Sequence, residues 1–200
     1  MLIPRKQRSA GGAPAMAFVS CSNHEVDAPY VRYIERILGY YNIEASYTVG
    51  RHDAAPRNPF EHMAANVQKA DLLVIIATQR YVLQDLKQGS HKVLPSEMIH
   101  CEGGMAFAHN KPILVFAKPG VDVGGFLPGV TQPVFLGQSK RDLKRKAKVI
   151  TSLVKAALAC VNRDRAMRGL KLVGNVAVAG LATYGVFKLF AQFFDNDNNS

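Results

Sequence analysis

The sequence predicts an α/β protein: an open, mostly parallel sheet of five strands with helices on both faces, plus a C-terminal hydrophobic helix. Three observations predict it. Strand-like apolar runs alternate with helical patterns five times. The run "DLLVIIAT", residues 71–78, is apolar without alternation, which marks a strand buried on both faces. Near the end, "LVGNVAVAGLATYGVF", residues 172–187, carries no charge.

The elements follow in order. "MLIPRKQRSAGGAPA", residues 1–15, mixes Pro, Gly, Ser and basic residues and lacks the apolar core of a secretory signal, so it reads as a flexible basic arm. "MAFVS" is the first strand. Asp27 and Pro29 then open a helix with Val31, Ile34 and Leu38 on one face, and Gly39 is placed to stop it. "IEASY" is the second strand, followed by the polar loop "TVGRHDAAPRN". Asn58 and Pro59 suit the start of a helix whose core face is Phe60, Ala64 and Val67. After the central strand, "QRYVLQDLKQGSHKVLP" reads as a short helix or loop.

Ser96 is placed as N-cap of the helix that holds Glu102, and Lys111–Pro112 close that helix before the strand "ILVFA". "KPGVDVGGFLPG" lacks GxGxxG order and reads as a loop; "PVFLG" is a fifth strand. Ser139 and Asp142 form an S-x-x-D capping box for a long helix with the apolar stripe Leu143, Ala147, Ile150, Val154, Ala157, Val161. The expected organisation is an arm (1–15), an α/β domain (16–137), a basic amphipathic helix (138–169), a hydrophobic helix (170–194) and an acidic polar tail (195–200).

Composition narrows the function. Two hundred residues with 48% hydrophobic content can bury a sizeable core. Cys21, Cys101 and Cys160 are far apart and odd in number, which argues against a disulfide framework or zinc site and for a reducing cytosol. Of the net charge of +10, residues 140–171 hold eleven Lys and Arg against two Asp. A basic block beside a nearly neutral domain expects an anionic partner: a membrane surface, with nucleic acid the weaker candidate, or else a plain solvated helix face.

In a parallel sheet, ligands meet the carboxyl ends of the strands. Those ends present Ser20, Cys21, Ser22, Asn23 and Thr78, with Arg51 overhanging from the second strand. Glu102 lies about a turn and a half inside the helix that starts at the same rim, near Met98, Met105 and Ala106. Gly103 and Gly104 cost that helix about 1–2 kcal/mol relative to alanine, which close approach of a ligand or tight packing on the sheet would explain. His24, His52 and His100 show no ligand spacing and are expected at the surface.

"FVSCSNHEVDAPYVRYIERIL", "ADLLVIIATQRYV" and "PSEMIHCEGGMAFAHNKPILVF" together resemble the bacterial branch of the TIR (Toll/interleukin-1 receptor) domain family over roughly residues 16–137. Ser96, Met98 and Glu102 fall where that family shows S-x-W-x-x-x-E, with Met98 in place of the usual aromatic. The resemblance implies a flavodoxin-like sheet, with Glu102 the catalytic glutamate of an NAD+ glycohydrolase or ADP-ribosyl cyclase. It implies NAD+ or a related nucleotide as substrate, no cofactor, a homo-oligomer and a role in prokaryotic antiphage defence or signalling. Ser20, Ser22, Asn23, Arg51, Thr78, Ser96 and Met98 become candidate substrate contacts. Two alternatives stand beside this: a non-catalytic TIR-like scaffold or nucleotide sensor, and an enzyme similar to nucleoside 2-deoxyribosyltransferases. The latter usually carry an aspartate six residues before their glutamate, where this chain has Ser96.

As a helix, residues 172–194 would span about 34 Å, enough for a bilayer core of roughly 30 Å. The basic block before it and Asp195 and Asp197 after it would leave the α/β domain cytoplasmic. Lys188 interrupts the stretch, so a buried helix in a homo-oligomer remains open beside a membrane anchor.

Overall fold

The computed structural model describes residues 13–47, 59–84, 91–137 and 139–173. The chain divides into two compact units, Met1–Arg163 and Asp164–Ser200. The first contains, in order, β1 (Ala15–Cys21), α1 (Ala28–Tyr40), β2 (Ile43–Tyr47), α2 (Pro59–Lys69), β3 (Leu72–Ala77), β4 (Tyr81–Gln84), β5 (His91–Leu94), α3 (Met98–Ala108), β6 (Ile113–Ala117), α4 (Leu127–Val130) and β7 (Val134–Phe135). It also holds most of α5 (Lys140–Val173), whose residues 164–173 belong to the second unit.

Five strands form one sheet in the order β2-β1-β3-β6-β7, every neighbouring pair parallel. Chain order reverses between β1 and β3: β2 lies to one side, β6 and β7 to the other. Cys21, Ile76 and Phe116 stand abreast near the carboxyl edge. All six residues of β3 are buried, as its unbroken apolar run requires.

Alternation sends side chains to two cores. Ala17 and Val19 of β1, Val74 and Ile76 of β3 and Phe116 of β6 pack with Ile34 and Leu38 of α1 and Ile150 and Val154 of α5. Phe18, Leu73, Ile75 and Val115 point the other way, against Met63 and Val67 of α2, Ile99 and Ala106 of α3 and Leu127 of α4. The Tyr33 hydroxyl donates to the Leu143 carbonyl at 2.7 Å and ties α1 to α5.

Leu143, Ile150, Val154, Ala157 and Val161 of the expected α5 stripe are buried, and Ala147 is half-buried. The capping box of α5 forms too: Ser139 Oγ donates to Asp142 Oδ2 at 2.6 Å and accepts the Asp142 N–H at 3.2 Å.

Several local expectations are corrected. The segment "QRYVLQDLKQGSHKVLP" contains an antiparallel hairpin, β4 with β5, rather than a helix. β-branched and aromatic residues favour that choice, and Val93 bridges to Val121 beside the main sheet. Asp27 makes no capping bond, because a single 3-10 turn (Glu25–Asp27) precedes α1 and already gives Asp27 helical dihedrals. Gly39 lies inside α1; the chain reverses at Asn42, whose φ is 57°. On α2 the packed stripe is Met63 and Val67, with Ala70 buried just past the helix end, while Phe60, in the first turn, is 58% exposed. "KPGVDVGGFLPG" runs at its end into the short helix α4.

The polar loop with Arg51 and His52, and the stretch 174–194, lie outside the described residues. Among the described residues no helix is long and apolar enough to cross a membrane.

Candidate active site

A cleft of about 630 Å³ opens at the carboxyl ends of β1 and β3, where the strand order reverses. That is where the two connections leave toward opposite sides of the sheet, so the chain parts and leaves a crevice. Its size is that of a small-molecule site.

Glu102 forms part of its wall and is only 2% exposed. The buried residues of α3 are Ile99, Glu102, Gly103 and Ala106, an i, i+3, i+4, i+7 stripe. A carboxylate thus occupies a position that helix periodicity assigns to the core. Placing a charge there is unfavourable unless the site pairs it or uses it.

The first strand-to-helix connection contributes Ser20, Ser22 and Asn23. Ser20 is buried at 5% and follows Phe18 on the α3 side of the sheet. Ser22 Oγ accepts the His24 N–H at 3.1 Å, so this hydroxyl shapes the loop. Thr78, also buried, stands just beyond β3. Ser96 and Met98 bring the start of α3 to the same rim. Ser96 is not itself the N-cap residue, a position held by Glu97. Its Oγ nevertheless accepts the Met98 N–H at 3.4 Å, and its carbonyl accepts the Ile99 N–H at 3.2 Å.

All the site residues singled out in the sequence that fall among the described ones line this single cleft; Arg51 falls outside them. Cys21, at the end of β1, lines the cleft as the strand-end argument expects, and the cleft also has walls that the sequence does not point to: His24, Arg80 and Tyr81. Arg80 follows Thr78 by two positions, so the strand-end logic that selected Thr78 could have reached it. Tyr81 opens the hairpin, which sequence reading took for helix or loop.

The two glycines after Glu102 differ. A Cβ on Gly103 would come within 2.7 Å of Leu127 Cδ2 and 3.2 Å of Phe126 Cζ. Gly103 therefore admits α4 against α3, and its contact is neither a ligand nor the sheet. A Cβ on Gly104 would meet nothing within 4 Å. His100, expected at the surface, is half-buried: its ring abuts Gly125, whose φ is +60°, and its Nδ1 is buried with no hydrogen-bond partner among the described residues.

No family model and no curated protein matches the sequence. Among solved structures, the chain is similar to a CMP N-glycosidase, BcmB, from Clostridium botulinum, with 13% identity and a TM-score of 0.44 over 67% of this chain and 98% of that one. It is similar to a 2-desoxiribosyltransferase from Leishmania mexicana, with 12% identity and a TM-score of 0.40 over 56% and 80%. A prokaryotic SEFIR domain is also similar, with 17% identity and a TM-score of 0.41 over 70% and 98%. Likenesses this distant say nothing of what this chain binds or does.

Proposed function

We propose that the protein cleaves the N-glycosidic bond of a nucleotide, NAD+ foremost, with Glu102 as the catalytic carboxylate. One observation carries this reading: a carboxylate 2% exposed in the wall of a cleft at the carboxyl edge of a parallel sheet. When the bond from C1′ to the nicotinamide nitrogen breaks, its electron pair leaves with nicotinamide and positive charge spreads over C1′ and the ring oxygen. A fixed anion in a water-poor wall stabilises that charge without reorganising. Water then bonds to C1′ and gives up a proton; in the cyclising variant a ring nitrogen of the adenine attacks instead. Apolar Ile99 and Met98 beside Glu102 limit solvent screening.

The same reading sets the exposed basic side chains of α5, Arg141, Lys144, Arg145, Lys146 and Lys148, toward an anionic membrane surface on the cytoplasmic side, with the protein working as a homo-oligomer.

The test is release of nicotinamide from NAD+ by the purified full chain. Wild type turns over, and Glu102→Gln lowers kcat/KM by about 10³-fold. Equal turnover by the variant removes Glu102 from the chemistry. Base exchange between deoxynucleosides, with NAD+ untouched, would establish the transferase alternative. Inertness toward both classes leaves the scaffold.

A further inference from the structure

A cleft that takes a nucleotide must also hold its phosphate, and several backbone N–H groups at this rim already have partners. At the start of α3, the N–H groups of Met98, Ile99 and His100 go to Ser96 Oγ, the Ser96 carbonyl and the Glu97 carbonyl. At the loop after β1, the His24 N–H goes to Ser22 Oγ and the Asp27 N–H to the His24 carbonyl. These five N–H groups are spent within the protein, which favours side chains as the readers of an anion at this rim.

One side chain is built for it. The Arg80 backbone is fixed, its N–H donating to the Leu94 carbonyl at 2.8 Å at the base of the hairpin. That hairpin is braced in turn by the Asp122 N–H to the Val93 carbonyl at 2.8 Å and by Lys92 against Asp122 at 3.7 Å. The guanidinium is fixed by His24: Arg80 Nη1 donates to His24 Nε2, which makes the ring the acceptor and leaves the other guanidinium N–H groups available. Among the described residues no carboxylate forms an ion pair with Arg80. The cleft therefore has Glu102 in its wall and an oriented cation at its exposed lip.

We propose that Arg80, oriented by His24, binds the 5′-phosphate of the substrate, so that the cleft takes phosphorylated nucleosides in preference to free ones. The inference rests on the nucleotide-cleaving reading and deepens it. A planar fork on a fixed backbone suits two phosphate oxygens at once, which a lysine cannot match. Ser22, by shaping the loop that carries His24, is a positioning residue for the same contact.

Binding tests this apart from turnover. Nicotinamide mononucleotide and nicotinamide riboside differ only in the phosphate, and calorimetry on the full-length Glu102→Gln protein measures their affinities. The mononucleotide is expected to bind about 10- to 100-fold more tightly. Adding Arg80→Gln should erase that ratio, and Arg80→Lys should restore part of it. Equal affinities for the two ligands, no binding of either, or an Arg80→Gln loss shared by both ligands would each overturn the proposal. If Arg80-dependent binding holds while wild type releases nicotinamide from neither compound nor from NAD+, the phosphate site stands and the nicotinamide-cleaving reading falls.

Discussion

The two faces of the sheet solve different problems. On one, α1 and α5 lay continuous apolar stripes on the strands, with Ile34, Leu38, Ile150 and Val154 each fully buried. On the other, α2 and α3 are shorter, and the stripe of α3 admits the carboxylate of Glu102. Gly103 gives up helix propensity so that Leu127 can close in behind it. The first face supplies stability; the second departs from good core practice at the point where the cleft opens. A protein that departs from local rules at one place, and follows them elsewhere, marks the place where it works.

Substitutions can break or sharpen that contrast. The largest expected effect is on chemistry: Glu102→Gln loses about 10³-fold in nicotinamide release in protein that circular dichroism shows to be folded at the assay temperature. A variant that is unfolded at that temperature would make Glu102 a structural residue. Next, Ile150→Ala on the opposite face should cost about 3 kcal/mol in urea unfolding, with KM for NAD+ unchanged in the fraction that remains folded. A shifted KM would mean that the faces are coupled.

The glycine pair gives a smaller, signed test. Gly103→Ala drives a methyl into buried Leu127 and should cost about 1–2 kcal/mol, whereas Gly104→Ala has open space and should gain up to about 1 kcal/mol. Like signs for the two would overturn the packing explanation.

The smallest effect is at the start of α5. Hydrogen bonds from the Ser139 hydroxyl and backbone N–H, with some help from Arg145, hold the Asp142 carboxyl below its ordinary value of 3.8. The folded value is the lower one, so the unfolded chain binds the proton first as pH falls. Stabilisation by this cap is complete above pH 3.8 and is lost as pH drops through the lowered folded value. The difference in Tm between wild type and Asp142→Asn should close over that interval; a difference that persists in stronger acid would show that the cap acts without its charge.

Much of the fold is legible in the sequence, because period and punctuation are local properties. The unbroken apolar run of β3, the S-x-x-D box before α5 and the seven-residue spacing of its stripe each dictate a structure through contacts a few residues long. The strand ends likewise point to Ser20, Ser22, Asn23 and Thr78 as neighbours. Local pattern fails where the decisive contact is distant. Residues 81–84 become a strand only by pairing with 91–94, and Phe60 leaves the stripe because the sheet meets α2 one turn later.

By itself, then, the sequence determined an alternating α/β chain, its central strand, its long basic helix and a glutamate out of place among apolar neighbours. Tertiary structure alone decided that β1 and β3 lie side by side with the chain reversing between them, that Glu102 is buried at that reversal, and that Arg80 meets His24 across a separation of 56 residues. The reason is physical: periodicity selects which side of an element is buried, but only the packing of one element on another selects what each buried group faces.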